Sequence, residues 1–342
     1  MNASRFLDIA SRYSQLRIAV VGDFCLDRYL EIDPAMQEIS IETGLPVHNV
    51  VNVRSQPGAA GTILNNLVAL GIGEIYPVGF CGEDGEGYAL CRSLRARHGV
   101  KLDHFIETDL RHTFTYCKPL LMEPGKPPAE LNRFDTKNRT PTPALLQGRL
   151  IDSVARLATE VDAMIIMDQV DLPETGVITA KLLEAIGELV KELPELLIVA
   201  DSRRSLRGYP PVCLKMNAAE LSALTGARHD LSLEEIKQTA AGLARQHGRN
   251  VFVTLAERGM VGASPYGDPA HVPALPLRGE IDVVGAGDSV TANLTAALAA
   301  GATSREAVEI ANVAASVVIH QLGTTGTASV AQIAELLPTP GS

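Results

Sequence analysis

The sequence predicts an α/β fold, a doubly wound and mostly parallel sheet with helices on both faces and a small β-sheet lid, read as a single domain over residues 1–342. Three observations carry this. Short apolar runs of strand length recur at 17–23, 76–79, 163–167, 196–200 and 251–255, and runs without polar alternation suit strands buried on both faces. Segments of helical periodicity separate them, which is the alternation of a wound parallel sheet. Two stretches, 29–56 and 113–135, break the rhythm with β-rich pieces (PVHNVVNV, TFTYCKPLLM, ELNRFDT) joined by Gly and Pro turns.

Along the chain, RIAVVGD (17–23) ends in Gly-Asp, the form of a first core strand whose carboxyl end opens onto a site. The 29–56 and 113–135 pieces then read as one small antiparallel sheet. Placed at the mouth of an α/β site, such a sheet serves as a lid that excludes water, and its other face suits burial in a homodimer. PGAAGT (57–62) leads into the helical ILNNLVALG, and the remaining apolar runs supply the core strands. The last third is helical: 289–300 stops at Gly301, a C′ glycine, and 304–321 follows.

Composition narrows the function. Of 342 residues 46% are apolar and 20% charged, which suits a packed globule and excludes intrinsic disorder. A formal charge of −10 disfavours a nucleic-acid or anionic-membrane surface, since either needs a concentrated positive field. Five cysteines without a Cys-x-x-Cys pair and eight histidines without HExxH indicate neither a zinc cage nor a disulfide framework. Residues 1–16 lack a secretory apolar core, and no run approaches the ~20 residues that span a bilayer. A cytoplasmic protein with a small captured ligand is the expectation.

The most informative segment is Asp282-Val283-Val284-Gly285-Ala286-Gly287-Asp288, followed at once by the helical SVTANLTAALAAG. Small residues at a helix start leave backbone N–H groups bare, and the helix dipole adds positive charge, so Gly285, Ala286 and Gly287 form an anion hole suited to a phosphoryl group. Asp288 beside it is either a catalytic base or an N-terminal cap. Near the amino terminus, Asp27, with Asp23 second, can accept hydrogen bonds from vicinal hydroxyls, as a sugar presents them; either can also cap a turn.

Asp-x-x-Gly-Ala-Gly-Asp before a helix resembles the signature of the ribokinase-like (PfkB) carbohydrate kinases, and the likeness extends over nearly the whole chain. It implies a ribokinase-like fold and an ATP-dependent phosphotransferase acting on an alcohol group of a sugar, with Asp288 as general base. Gly58, Ala59 and Thr62 fall where the family holds the acceptor, although its second Gly is Ala59 here and its Asn is Thr62. Asn217 and Glu220 resemble the family's Asn-x-x-Glu, associated with phosphates and Mg²⁺, the latter held partly through water; the same pair also starts a helix as a cap. Thr254, Gly259 and Asn312 match positions along the nucleotide, and Asp282 with the Gly-Thr-Thr-Gly run at 323–326 matches a monovalent-cation site for K⁺.

Among subgroups the chain most resembles the heptose 7-phosphate kinase domain of bifunctional lipopolysaccharide-heptose enzymes, through GDxxLDRY (22–29), LNRFD (131–135) with Arg133 as an acceptor contact, and DSRRSLRGY (201–209). Those kinases carry a Lys after the equivalent of Asp168, suited to a sugar phosphate. This chain has Gln169-Val170-Asp171-Leu172-Pro173-Glu174 instead. Asp171 and Glu174 are expected to repel a phosphorylated acceptor, unless Arg203, Arg204 and Arg207 replace the charge. With Thr62 also in place of the family's Asn, heptose 7-phosphate is expected to be a poor substrate and another sugar or polyol, unphosphorylated included, to be preferred. A nucleoside kinase would share the catalytic end but need aromatics for a base, and the chain has seven Phe, seven Tyr and no Trp. A non-catalytic sugar- or nucleotide-binding relative would be expected to lack the base or the anion hole.

Overall fold

The computed structural model describes residues 1–339. The chain begins with α1 (Ala3–Ala10), β1 (Arg17–Gly22), β2 (Phe24–Ile32), β3 (Glu38–Ile39), β4 (Pro46–Val47), β5 (Val50–Ala59), α2 (Ala60–Ala69), β6 (Glu74–Gly82), α3 (Gly85–Arg95) and β7 (Phe105–Thr108). It continues through β8 (Phe114–Leu121), β9 (Ala129–Glu130), β10 (Phe134–Thr136), α4 (Ala144–Leu157), β11 (Ala163–Asp168), α5 (Ala180–Glu192), β12 (Leu197–Ser202) and β13 (Cys213–Asn217). The last part holds α6 (Ala218–Thr225), α7 (Leu233–His247), β14 (Val251–Thr254), β15 (Met260–Ala263), β16 (Ala270–Val272), α8 (Ala286–Ala299), α9 (Ser304–Val318) and α10 (Val330–Leu336).

Nine strands form the main sheet in the order β16-β15-β14-β13-β12-β11-β1-β6-β7, parallel from β14 to β7. Its β1 and β11 are apolar and buried on both faces, which is why they read as continuous apolar runs. One apolar cluster joins α1, α2, α8 and α9 to one face, and a second joins α4, α5 and α7 to the other. The edge strands β15 and β16 run antiparallel and were not visible as apolar runs. The turn into β15 passes through Gly259, φ +86°, where a β-carbon would lie 2.0 Å from Val272 O; no other residue fits that approach. No helix among the described residues is long and apolar enough to cross a membrane.

The small sheet has the order β10-β8-β2-β5, with β9 on β8. It corrects the expectation of an antiparallel sheet, because β2 and β8 run parallel. It also starts at Phe24, because β2 follows β1 with Asp23 alone between them. The chain leaves the core strand directly for the lid, with no turn residues to mark the change. Gly22 permits this: a β-carbon there would lie 2.2 Å from Met167 O on β11.

Ala59, at the junction of β5 and α2, adopts φ 55° and ψ −116°, a conformation that an L side chain resists and glycine accepts. Ala59→Gly should therefore raise stability by about 1 kcal/mol, read as a higher denaturation midpoint. A lower midpoint would show that the Ala59 methyl packs well enough to outweigh the strain.

Candidate active site

The parallel strands β1, β11, β12, β13 and β14 all end in or beside polar groups: Asp23, Asp168, Asp201, Asn217 and Thr254. Ligands of open α/β sheets bind outside such carboxyl ends. The amino end of α8 enters this crevice. Gly285 is its cap residue in the left-handed region, φ 81°, and a β-carbon there would approach Thr325 to 3.3 Å and the Thr62 methyl to 3.5 Å. Thr62 on α2 thus borders the helix start.

The N–H groups at this start divide differently from expectation. Ala286 N–H turns back to Val283 O at 3.2 Å, and the first bond into the helix runs from Ser289 N–H to Gly285 O at 2.9 Å. Gly287 and Asp288 lie between them with N–H groups that have no intrahelical acceptor. Within α8 the open N–H groups are therefore those of Gly287 and Asp288, whereas that of Ala286 is engaged.

Asp288 is the third residue of α8 and 5% exposed, with Oδ1 buried and without a hydrogen-bond partner. A capping carboxylate would be hydrogen-bonded; this one is not. Burial pushes its carboxyl up to about 6, opposed by the Arg203 guanidinium, reinforced by Asp201 and opposed again by Lys215. Arg203 Nη2 lies 3.9 Å from Asp288 Oδ1.

The two amino-terminal carboxylates separate sharply. Asp23 is fully buried and accepts from the N–H groups of Gln169 (2.9 Å), Val170 (3.2 Å) and Val177 (2.7 Å), so it clamps the loop after β11 and offers nothing to an acceptor. Asp27 sits on β2 facing Gln56 and Tyr116 in register. Burial raises its carboxyl, offset by Lys118 and then Arg133. Gly58 makes room for it, since a β-carbon there would lie 2.5 Å from Asp27 Oδ2. Gln56 on the same face donates to Thr325 Oγ1 at 2.7 Å, which ties the lid to the loop beside Gly285.

That face of the lid gathers four cations beside Asp27, Glu31 and Asp135. Arg54 and Lys118 lie 4.9 and 5.3 Å from the Tyr29 ring centre, and Arg133 and Lys137 lie 5.0 and 5.9 Å from that of Tyr116. Arg54 is paired with Glu31, Arg133 with Asp135 and Lys137 with Asp171. Lys118 has no carboxylate partner among the described residues.

The carboxylates expected to repel a phosphorylated acceptor are otherwise engaged. Asp171 pairs with Lys137 at 3.1 Å, and Glu174 accepts from Ala180 N–H at 2.9 Å at the start of α5. The three arginines also divide: Arg203 reaches Asp288, Arg204 holds the buried Asp168 at 2.9 Å, and Arg207 lies against the carbonyls of Ala223 and Leu224 at the end of α6.

Asn217 and Glu220 form a reciprocal capping box on α6, with Glu220 N–H to Asn217 Oδ1 at 2.9 Å and Asn217 N–H to Glu220 Oε2 at 2.7 Å. Thr254 leans on Met216 O at 3.4 Å, and Asn312 donates to Pro273 O at 2.7 Å, so Asn312 fastens the loop after β16 to α9. Asp282 Oδ1 accepts from Val284 N–H at 3.0 Å. Sequence reasoning missed Lys215 and Asp201, a buried pair 2.7 Å apart beside Gly287. The polar end of LIVAD (197–201) was the available signal for Asp201.

Comparison with known proteins finds relatives over most of the chain. The model of the pfkB family of carbohydrate kinases matches residues 16–331. The chain is 31% identical over 321 residues to the bifunctional protein HldE of Gluconacetobacter diazotrophicus, covering 94% of this chain and 63% of that one. It is 31% identical over 313 residues to HldE of Gluconobacter oxydans, covering 90% and 62%. The chain thus spans somewhat under two thirds of these relatives' length. Among solved structures, Arabidopsis thaliana ribokinase with ribose and ATP aligns with a TM-score of 0.64 at 19% identity, covering 95% of this chain and 96% of that one. Escherichia coli phosphofructokinase-2 with potassium aligns at 0.69 and 17%, covering 94% and 98%. At these identities the structures establish the ribokinase-like fold.

Proposed function

We propose that this chain, which belongs to the pfkB family of carbohydrate kinases, transfers the γ-phosphoryl group of ATP to a hydroxyl of a sugar that already carries a phosphate. Family membership makes it a sugar kinase with ATP as co-substrate. The observation that carries the catalytic assignment is Asp288, buried and without a hydrogen-bond partner at Oδ1, where only the Arg203 guanidinium stands near, beside the open N–H groups that begin α8. A carboxylate so placed takes the acceptor's proton while those N–H groups hold the phosphoryl oxygens. Asp27 orients the acceptor through its hydroxyls, and Gly58, Ala59 and Thr62 shape the wall around it. Thr254, Gly259 and the wall held by Asn312 flank the nucleotide.

Support for a phosphorylated acceptor comes from the lid face. Lys118 lies near Asp27 without a carboxylate partner among the described residues, Arg133 is close by, and in the 169–174 loop Asp171 is paired with Lys137 while Glu174 is turned to the start of α5. A panel of sugars and phosphosugars assayed for ATP consumption tests this, and heptose 7-phosphate is the first member to try. Phosphosugars are expected to give the highest kcat/KM. Lys118→Met should raise KM for the phosphosugar about tenfold with little change for the unphosphorylated sugar. Preference for unphosphorylated acceptors, or equal loss on both, would remove Lys118 from phosphate recognition.

Glu220 is the residue that would hold Mg²⁺, which offsets the phosphates' charge; a single carboxylate fits a cation that keeps most of its waters. Glu220→Gln separates this role from the capping box, because Gln also completes such a box. Stability should stay close to that of the unaltered protein while the Mg²⁺ concentration for half-maximal rate rises. An unchanged Mg²⁺ titration would leave Glu220 with its cap alone. K⁺ beside Asp282 and the 323–326 turn belongs to the same reading.

We also place the protein in the cytoplasm, where ATP is, as a homodimer through the lid face opposite Asp27. On that face Val51, Val53 and Phe134 are 54%, 48% and 64% exposed, and large apolar side chains gathered on one sheet face suit a protein contact. Light scattering during size-exclusion chromatography reads the mass directly.

A further inference from the structure

We propose that Lys215 is a further catalytic residue, whose ammonium group contacts the non-bridging oxygens of the phosphoryl group in transfer. The inference rests on the kinase reading above and adds a residue to it. Lys215 lies on β13 and is 6% exposed, and Nζ is 2.7 Å from Asp201 Oδ2. Thr291 on α8 donates to the same oxygen at 2.9 Å. A β-carbon at Gly287 would lie 3.1 Å from Lys215 Nζ, so the ammonium is packed against one of the two residues whose N–H groups are open at the helix start.

This placement needs an explanation beyond the Asp201 pair. A helix amino end is positive, and a buried cation against it is repelled unless further negative charge arrives. Asp201 balances Lys215 and takes one of its three donors. The open N–H groups of the helix start, with the second cation Arg203 3.9 Å from Asp288, remain to be matched by an anion. A phosphoryl group at the Gly287 and Asp288 N–H groups supplies it, within reach of the ammonium. A residue larger than glycine at 287 would intrude on that meeting point.

In the step, the acceptor hydroxyl oxygen bonds to the γ-phosphorus and its proton passes to Asp288. The bond from the γ-phosphorus to the bridging oxygen breaks, and its electron pair leaves on the β-phosphate of ADP. Lys215 transfers no proton; it offsets charge on the phosphoryl oxygens, an electrostatic contribution of the kind worth about 10²–10³ in rate.

The bland alternative is that Lys215 only neutralises Asp201, and a double substitution separates the two. Lys215→Met alone leaves Asp201 buried without its cation and risks misfolding. In Lys215→Met with Asp201→Asn neither charge is stranded, and the introduced amide oxygen can still accept from Thr291. The double variant is expected to fold, to bind ADP within a few-fold of the unaltered protein, and to lose about 10²-fold in kcat. It should also lose the tightening of ADP binding that aluminium fluoride, a mimic of the phosphoryl in transfer, gives the unaltered protein. A double variant with kcat within about fivefold of normal, or with that tightening intact, overturns the proposal. Absence of turnover by the unaltered protein on every acceptor would instead count against the kinase reading, which keeps the two failures distinct.

Discussion

Asp288→Asn is expected to lower kcat by roughly 10²–10⁴ while ATP and acceptor affinities stay within a few-fold, and to make the protein more stable at neutral pH. The first part follows from the role of a general base, whose loss is felt in the transition state far more than in the bound ground state. The second follows from burial. The carboxyl is pushed up to about 6 in the folded chain from an ordinary 3.8, so the folded state binds the proton more tightly than the unfolded one. Stability therefore falls as pH rises from about 4 to about 6, by on the order of 2–3 kcal/mol, and stays lowered above. Asparagine removes that penalty. Denaturation at pH about 7 should favour the variant, and at pH about 3.5, below both values, the difference should vanish. Near-normal turnover would take Asp288 out of the mechanism, and equal or lower stability at neutral pH would mean that Arg203 and Lys215 neutralise it fully.

Much of this was legible because it is local. Small residues before an apolar helix imply open N–H groups wherever the chain goes, so the DVVGAGD segment located the crevice and Asp288 together. The core strands were legible for a similar reason, as continuous apolar runs buried on both faces. What stayed hidden depends on register and neighbours. Asp23 and Asp27 read alike in GDFCLD, and only the return of the 169–177 loop onto Asp23 separates a clamp from an acceptor contact. Asn217-x-x-Glu220 has a spacing that suits both a capping box and the family's cation motif, and the capping box it forms is no bar to a second partner on the carboxylate. Ala286 reads as equivalent to its glycine neighbours until the turn to Val283 O uses its N–H. Lys215 and Asp201 are fourteen positions apart, and adjacent strands bring them together in a way no spacing rule indicates. The acidic 169–174 loop shows its charges in the sequence, but the pairing of Asp171 with Lys137 and of Glu174 with the start of α5 is tertiary.

Arg203 is the second residue on which a large effect is expected. Its guanidinium, 3.9 Å from Asp288 Oδ1, holds the carboxyl lower than burial alone would set it, and its side chain is half-exposed. Loss of this charge raises the carboxyl further, and a base works only when deprotonated. The acid limb of the rate profile, expected near 6 for the unaltered protein because burial pushes the Asp288 carboxyl up to about 6, should therefore move to higher pH in Arg203→Gln. In Arg203→Glu it should move further in the same direction. The reversed charge also faces the incoming phosphates, so a fall in kcat of about 10²-fold at neutral pH is expected for the glutamate variant. Profiles from pH about 5 to about 9 at saturating ATP and acceptor measure both effects. An acid limb that stays in place, with KM for a phosphosugar strongly raised, would assign Arg203 to the acceptor's phosphate and leave the tuning of Asp288 to Lys215 alone.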